Sequence, residues 1–156
     1  MSDHTYSEEE WQSLHEEIQQ RFRTLAVEIK SVSPRALIEY GKSGTKLFPL
    51  FSHMSFNETQ AGDNDIIVGM SIIRVDGQWR IDADISEEEV GTIYLELPNA
   101  QFSVSCFDEL CERVLSATDD LITRGKPLLL RLFGSPPPVM PSSAVGMPGV
   151  ARKANV

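Results

Sequence analysis

Basic side chains, cysteines and long apolar runs are all scarce in this chain. Only 14 of its 156 residues are Lys or Arg, against 23 Asp and Glu. Residues 135–156 hold two of the basic ones, Arg152 and Lys153, and no acidic one, leaving 12 against 23 in the rest, a net of −11. Nucleic acids and anionic membranes are gripped by clustered Lys and Arg, so this balance argues against both and favours a basic protein as partner. Charge of one sign also serves solubility alone. Two cysteines, Cys106 and Cys111, are too few for a disulfide framework, and neither forms a CxxC redox or zinc motif. Five positions apart in a helix they would point about 140° from one another. They read as packing residues.

No stretch reaches the roughly 18 uninterrupted apolar residues that a membrane span needs. The opening MSDHTYSEEE has neither the basic region nor the apolar core of a signal peptide. A soluble, cytoplasmic protein is therefore expected. Catalytic signatures are missing as well. There is no GxSxG elbow, and Gly41-Lys42-Ser43 lacks the glycine five residues earlier that a phosphate loop requires, since Ala36 stands there. His4, His15 and His53 are scattered without metal-ligand spacing, so no metal and no cofactor is expected. Asn57-Glu58-Thr59 fits a glycosylation acceptor pattern, which a protein without a secretion signal would not expose to the enzyme.

What is present is clear architecture. Ile66 to Ile85 reads IIVGMSIIRVDGQWRIDADI, two strands joined at Asp76-Gly77. A two-residue Asp-Gly turn of type I′ sets Val75 opposite Gln78 and Arg74 opposite Trp79. Outward from there Ile72 meets Ile81, Met70 meets Ala83 and Val68 meets Ile85, giving one apolar face with Arg74 at its rim. The other face mixes Gln78, Arg80, Asp82 and Asp84 with Val75, Ile73, Ser71 and Gly69, which suggests partial cover by another element or a partner. A slip of one residue would bury both aspartates.

Ser7 followed by three glutamates is a capping box, and Trp11, Leu14, His15, Ile18, Phe22, Leu25, Ala26 and Ile29 then recur at helical spacing until Ser33-Pro34. The heptad-like spacing also admits pairing with another protein or a second copy, so a homodimer is one expectation. Ala36–Gly41 and Lys46–Phe56, separated by a turn in KSGT, suggest a second hairpin, with Pro49 marking an edge or bulge. Residues 57–65 should form an exposed loop. Ser86 to Glu89 is an acidic turn, after which Ile93, Leu95 and Leu97 alternate with polar neighbours as a further strand ended by Pro98-Asn99. A second helix is expected from an N-cap at Ser105 to a stop at Arg124-Gly125 and Pro127. Leu128–Phe133 could be a last strand or an apolar segment against the helices. From Ser135 onward, proline and glycine imply a disordered tail.

The fold class is therefore α+β: an antiparallel meander of four to five strands packed by an N-terminal and a C-terminal helix, over residues 1–134. Function follows from what remains. The expectation is a non-enzymatic, acidic protein-binding domain, of the kind exemplified by a bacterial immunity protein that neutralises a basic toxin. Its contact residues would be Arg80, Asp82, Asp84, Glu87, Glu88 and Glu89. Asp82 and Asp84, two apart on a strand, place both carboxylates on one face. One alternative is a small-ligand-binding or hydrolytic domain with a pocket between the sheet and the first helix, lined by Phe51, Trp79 and Tyr94. Another is a secretion chaperone or adaptor holding a partner segment on its sheet edge.

Overall fold

A computed structural model describes residues 6–45, 48–57, 65–89 and 91–134. The element order is α1 (Glu8–Val32), β1 (Leu37–Ser43), β2 (Leu50–Asn57), β3 (Ile66–Val75), β4 (Gln78–Glu87), β5 (Ile93–Glu96) and α2 (Phe107–Gly134). The five strands form one antiparallel sheet in sequence order, the α+β meander that the periodicities imply. The tail from residue 135, the loop at 58–64 with Glu58 and Thr59, and His4 all lie outside the described residues.

The central hairpin pairs in the expected register, from Val75 with Gln78 through Val68 with Ile85 and on to Ile66 with Glu87. Asp76 and Gly77 both have positive φ, 52° and 79°, as a type I′ turn requires. Asp tolerates that conformation through its short polar side chain and Gly through its missing Cβ. Alternation then sends Val68, Met70, Ile72, Trp79, Ile81, Ala83 and Ile85 to one face, where all are buried.

Both helices lie on that face. Ser7 caps α1: its Oγ accepts from the Glu10 amide while the Glu10 carboxylate accepts from the Ser7 amide. The stripe Leu14, Ile18, Phe22, Leu25, Ala26 and Ile29 is buried as expected, and Gln19 joins it. Gln19 Nε2 donates to Ser52 Oγ (3.0 Å) and to the His53 carbonyl (3.2 Å), and His15 Nδ1 lies 2.9 Å from the same Ser52 Oγ. Burial, then Lys42, push the His15 pKa below its ordinary value.

At the start of α1, Tyr6, Trp11, Trp79 and Phe107 form a cluster of rings. Tyr6 lies 4.7 Å from Phe107 and 6.0 Å from Trp79 between centroids, and Arg74 sits 4.7 Å over the Trp79 ring. This cluster ties the first helix, the hairpin and the start of the second helix together. Cys106 lies exposed just ahead of α2 and Cys111 is half-buried within it; both are free, and burial pushes the Cys111 thiol up to about 11.

Four local expectations need correction. Helix α2 does not stop at Gly125 but runs to Gly134 with Pro127 inside it, so Leu128–Phe133 forms its last turns. Proline removes one backbone bond there. Against that loss, Leu121, Gly125, Leu129 and Phe133 follow at four-residue steps and all are buried, while Pro127 itself faces solvent. Gly125 is needed for close approach, because a Cβ would collide with Ile85 Cδ1. Second, α2 begins at Phe107, the Leu110 amide donating to the Cys106 carbonyl; Ser105 is not the cap but is held through its own amide and hydroxyl by the Glu109 carboxylate. Third, Pro49 marks neither an edge nor a bulge: it stands just ahead of β2, an interior strand in unbroken register with β1 and β3. Lys42 and Ser43 belong to β1, so the turn lies beyond them. Fourth, a bulge at Ile85/Ser86 sets Ile93 opposite Ser86 and Leu95 opposite Ile85. Ile93 is consequently exposed, whereas Leu95 and Leu97 turn inward.

Candidate functional site

The face of the sheet opposite the helices is covered by no described element. On β4 it presents Gln78, Arg80, Asp82, Asp84 and Ser86, each in register with a β3 residue of the same face: Val75, Ile73, Ser71, Gly69 and Ile67. β2 contributes Phe51, His53 and Ser55 through their pairing with Ser71, Gly69 and Ile67. Glu96 of β5 lies directly across from Asp84. One row therefore reads Gly41, His53, Gly69, Asp84, Glu96 across all five strands.

The two glycines in that row have a steric reason. A Cβ on Gly41 would strike the His53 ring, and one on Gly69 would come within 3.0 Å of the Phe51 ring. The Phe51 and His53 rings stack at 4.9 Å and 24°. This flat pair fills the middle of the face. Burial lowers the His53 pKa, offset in part by Glu88, which places the acidic turn within electrostatic reach of the ring.

Six residues were expected to act together, and the structure brings only some of them onto one surface. Arg80 and Asp82 are paired, Nε and Nη2 each donating at 3.0 Å to one carboxylate oxygen, and Asn99 Nδ2 donates to the same carboxylate at 3.1 Å. Asp82 is thereby satisfied, and Arg80 neutralises it rather than its neighbour. Asp84 sits two residues on with no ion pair among the described residues. Burial, then Glu96, then Asp82 raise its pKa. Glu87 follows Ile85 on the helix-bearing side, opposite Ile66, and accepts from the Tyr94 hydroxyl at 3.4 Å. Glu88 and Glu89 are exposed in the turn, with the Glu88 amide held by the Asp65 carbonyl.

Glu96 was missed from the sequence. It sits opposite Asp84 only because of the bulge, whose position no spacing in the chain announces. The proposed pocket lining is likewise not assembled: Phe51 lies on the uncovered face, Trp79 under α1, and Tyr94 beside Glu87. Among the described residues no group of His, Cys, Asp and Glu is arranged to hold a metal ion, and no helix is long and apolar enough to cross a membrane. No family model, curated protein or solved structure matches the chain.

Proposed function

We propose that this domain binds a basic protein partner through the uncovered face of its sheet, with Asp84 and Glu96 as the charged centre of the contact. The observation that supports this reading is the pair itself. Two carboxylates stand opposite one another across β4 and β5, a third is two residues away, and Arg80, on the same face of β4, is engaged by Asp82. The raised Asp84 pKa expresses that repulsion together with desolvation. A Lys or Arg side chain from a partner relieves it. Beside Asp84, the Phe51 ring over Gly69 offers an apolar and π surface to the stem and head of such a side chain.

The exposed Glu88 and Glu89 extend the negative potential beyond this centre. They act chiefly on the rate of encounter, whereas the half-buried Asp84 acts on dissociation. A toxin-neutralising protein is the finer form of this proposal; acidic complementarity to a basic partner is the coarser form that the geometry supports.

Affinity capture from host lysate tests it, with the wild type compared to an Asp84→Asn/Glu96→Gln variant at low and high salt. A basic protein retained by the wild type at low salt, released at high salt and lost by the variant supports the reading. Equal retention by the variant sinks it. With that partner purified, Glu88→Lys/Glu89→Lys should slow association and flatten its salt dependence without changing thermal stability.

A further inference from the structure

The two edges of the sheet are finished differently. On one side β5 is four residues long and joins β4 through a bulge. Beside it the chain runs on along β4, the Leu97 amide donating to the Ala83 carbonyl and Trp79 and Phe102 exchanging both backbone bonds. On the other side β1 spans seven residues in unbroken register with β2, and no described strand pairs with its outer side. Free edges invite another strand, and natural sheets guard them by shortness, bulges or proline. The β1 edge has none of these guards. Its lysine, Lys42, is drawn toward α1 by Gln12 Oε1 at 2.6 Å.

Exposed apolar side chains lie on this strand and on the segments that flank it in the chain. Of the six large hydrophobic residues exposed among those described, Leu37 (57%) and Tyr40 (40%) are on β1, Phe48 is in the loop after it, and Val27 and Val32 are in the half of α1 that leads to it. Only Ile93 lies on the far edge.

We propose that β1 pairs antiparallel with β1 of a second copy of this chain about a two-fold axis at Tyr40, joining the two five-stranded sheets into one. The strand is self-complementary in that register. Leu37 faces Ser43 of the second copy, Ile38 faces Lys42, Glu39 faces Gly41, and Tyr40 faces itself, so all seven residues pair. Each charge meets an uncharged residue, and the axis carries an aromatic cross-strand pair of the kind that stabilises sheets. A two-fold axis normal to the sheet keeps the helices of both copies on one side. Charge selects this edge over the other. Two copies, each of net charge −9, are driven apart where Asp82, Asp84 and Glu96 gather, whereas at β1 Arg23, stacked 5.4 Å over Tyr40, and Lys42 offset Glu39.

The test uses the full chain. Light scattering at tens of micromolar should give twice the 17.4 kDa chain mass, and Leu37→Lys/Tyr40→Lys, at two exposed positions, should give the monomer with an unchanged circular dichroism spectrum. Register is read by cross-linking in a Cys106→Ser/Cys111→Ser background. Facing Cα atoms lie about 4.5–5.5 Å apart, so Tyr40→Cys should oxidise to a covalent dimer. Lys42→Cys should not, because the two copies of that position are offset by four residues, about 13 Å along the strand. A monomer at every concentration, a dimer indifferent to the lysine variant, or preferential linkage through Lys42→Cys overturns the proposal.

Discussion

Replacing Trp79 by alanine should destabilise the domain by about 3–5 kcal/mol, the range of large aromatic deletions from cores. The side chain keeps only 3% of its surface exposed. Burying a tryptophan removes about 150–250 Å² from water, which at about 25 cal/mol per Å² is about 4–6 kcal/mol. Compactness of the unfolded chain trims that by about 10–40%. Ring contacts with Tyr6 and Trp11 and the Arg74 guanidinium over the indole place the loss toward the upper part of what remains. Urea unfolding followed by circular dichroism, with Trp11 fluorescence as a second probe, should show a lower midpoint at unchanged slope. Arg80→Ala, on the other face and half-exposed, should cost about 1 kcal/mol or less. A Trp79→Ala loss below about 1 kcal/mol, with a large one for Arg80→Ala, would mean that the hairpin register is shifted by one and the sheet faces are exchanged.

Pro127→Ala should raise the melting temperature, with a gain of about 1–3 kcal/mol, because the exposed proline denies the helix one backbone bond and no packing is lost with it; a lower melting temperature would refute its place inside α2. His15 and His53 are both shifted below their ordinary pKa, so the unfolded chain takes up their protons first. Their contribution to stability is present above about pH 6.5 and is lost as pH falls below it. The urea midpoint should therefore fall further between neutral and mildly acidic pH for the wild type than for His15→Gln/His53→Gln; an equal fall would refute the lowered pKa of the two histidines.

The parts of the fold legible in the sequence were those in which local chemistry and burial agree. Asp76-Gly77 demanded a tight turn, the turn imposed the register, and the capping box at Ser7 started a helix whose stripe is the buried one. Reading failed where tertiary contact outweighed a local signal. Gly125 and Pro127 together resemble a helix stop, yet the glycine is there for the approach of α2 to Ile85, and Leu129 and Phe133 are buried only if the helix continues. The same holds for the site. Alternation placed Asp82 and Asp84 on one face correctly, but the approach of Glu96 to Asp84 depends on the bulge, and the engagement of Asp82 by Arg80 on a side-chain contact that spacing does not single out. Glu87 was grouped with its acidic neighbours, although the strand's own period of two turns it to the helix side.

Hydrogen exchange of the protein alone and in complex with its captured basic partner tests the central claim most directly. Slowed exchange across Asp82–Ser86 of β4, the turn at Glu88 and Glu89, and β5, with α1 and α2 unchanged, is the result that binding on the uncovered face predicts. Protection confined to the outer surfaces of the helices would contradict it.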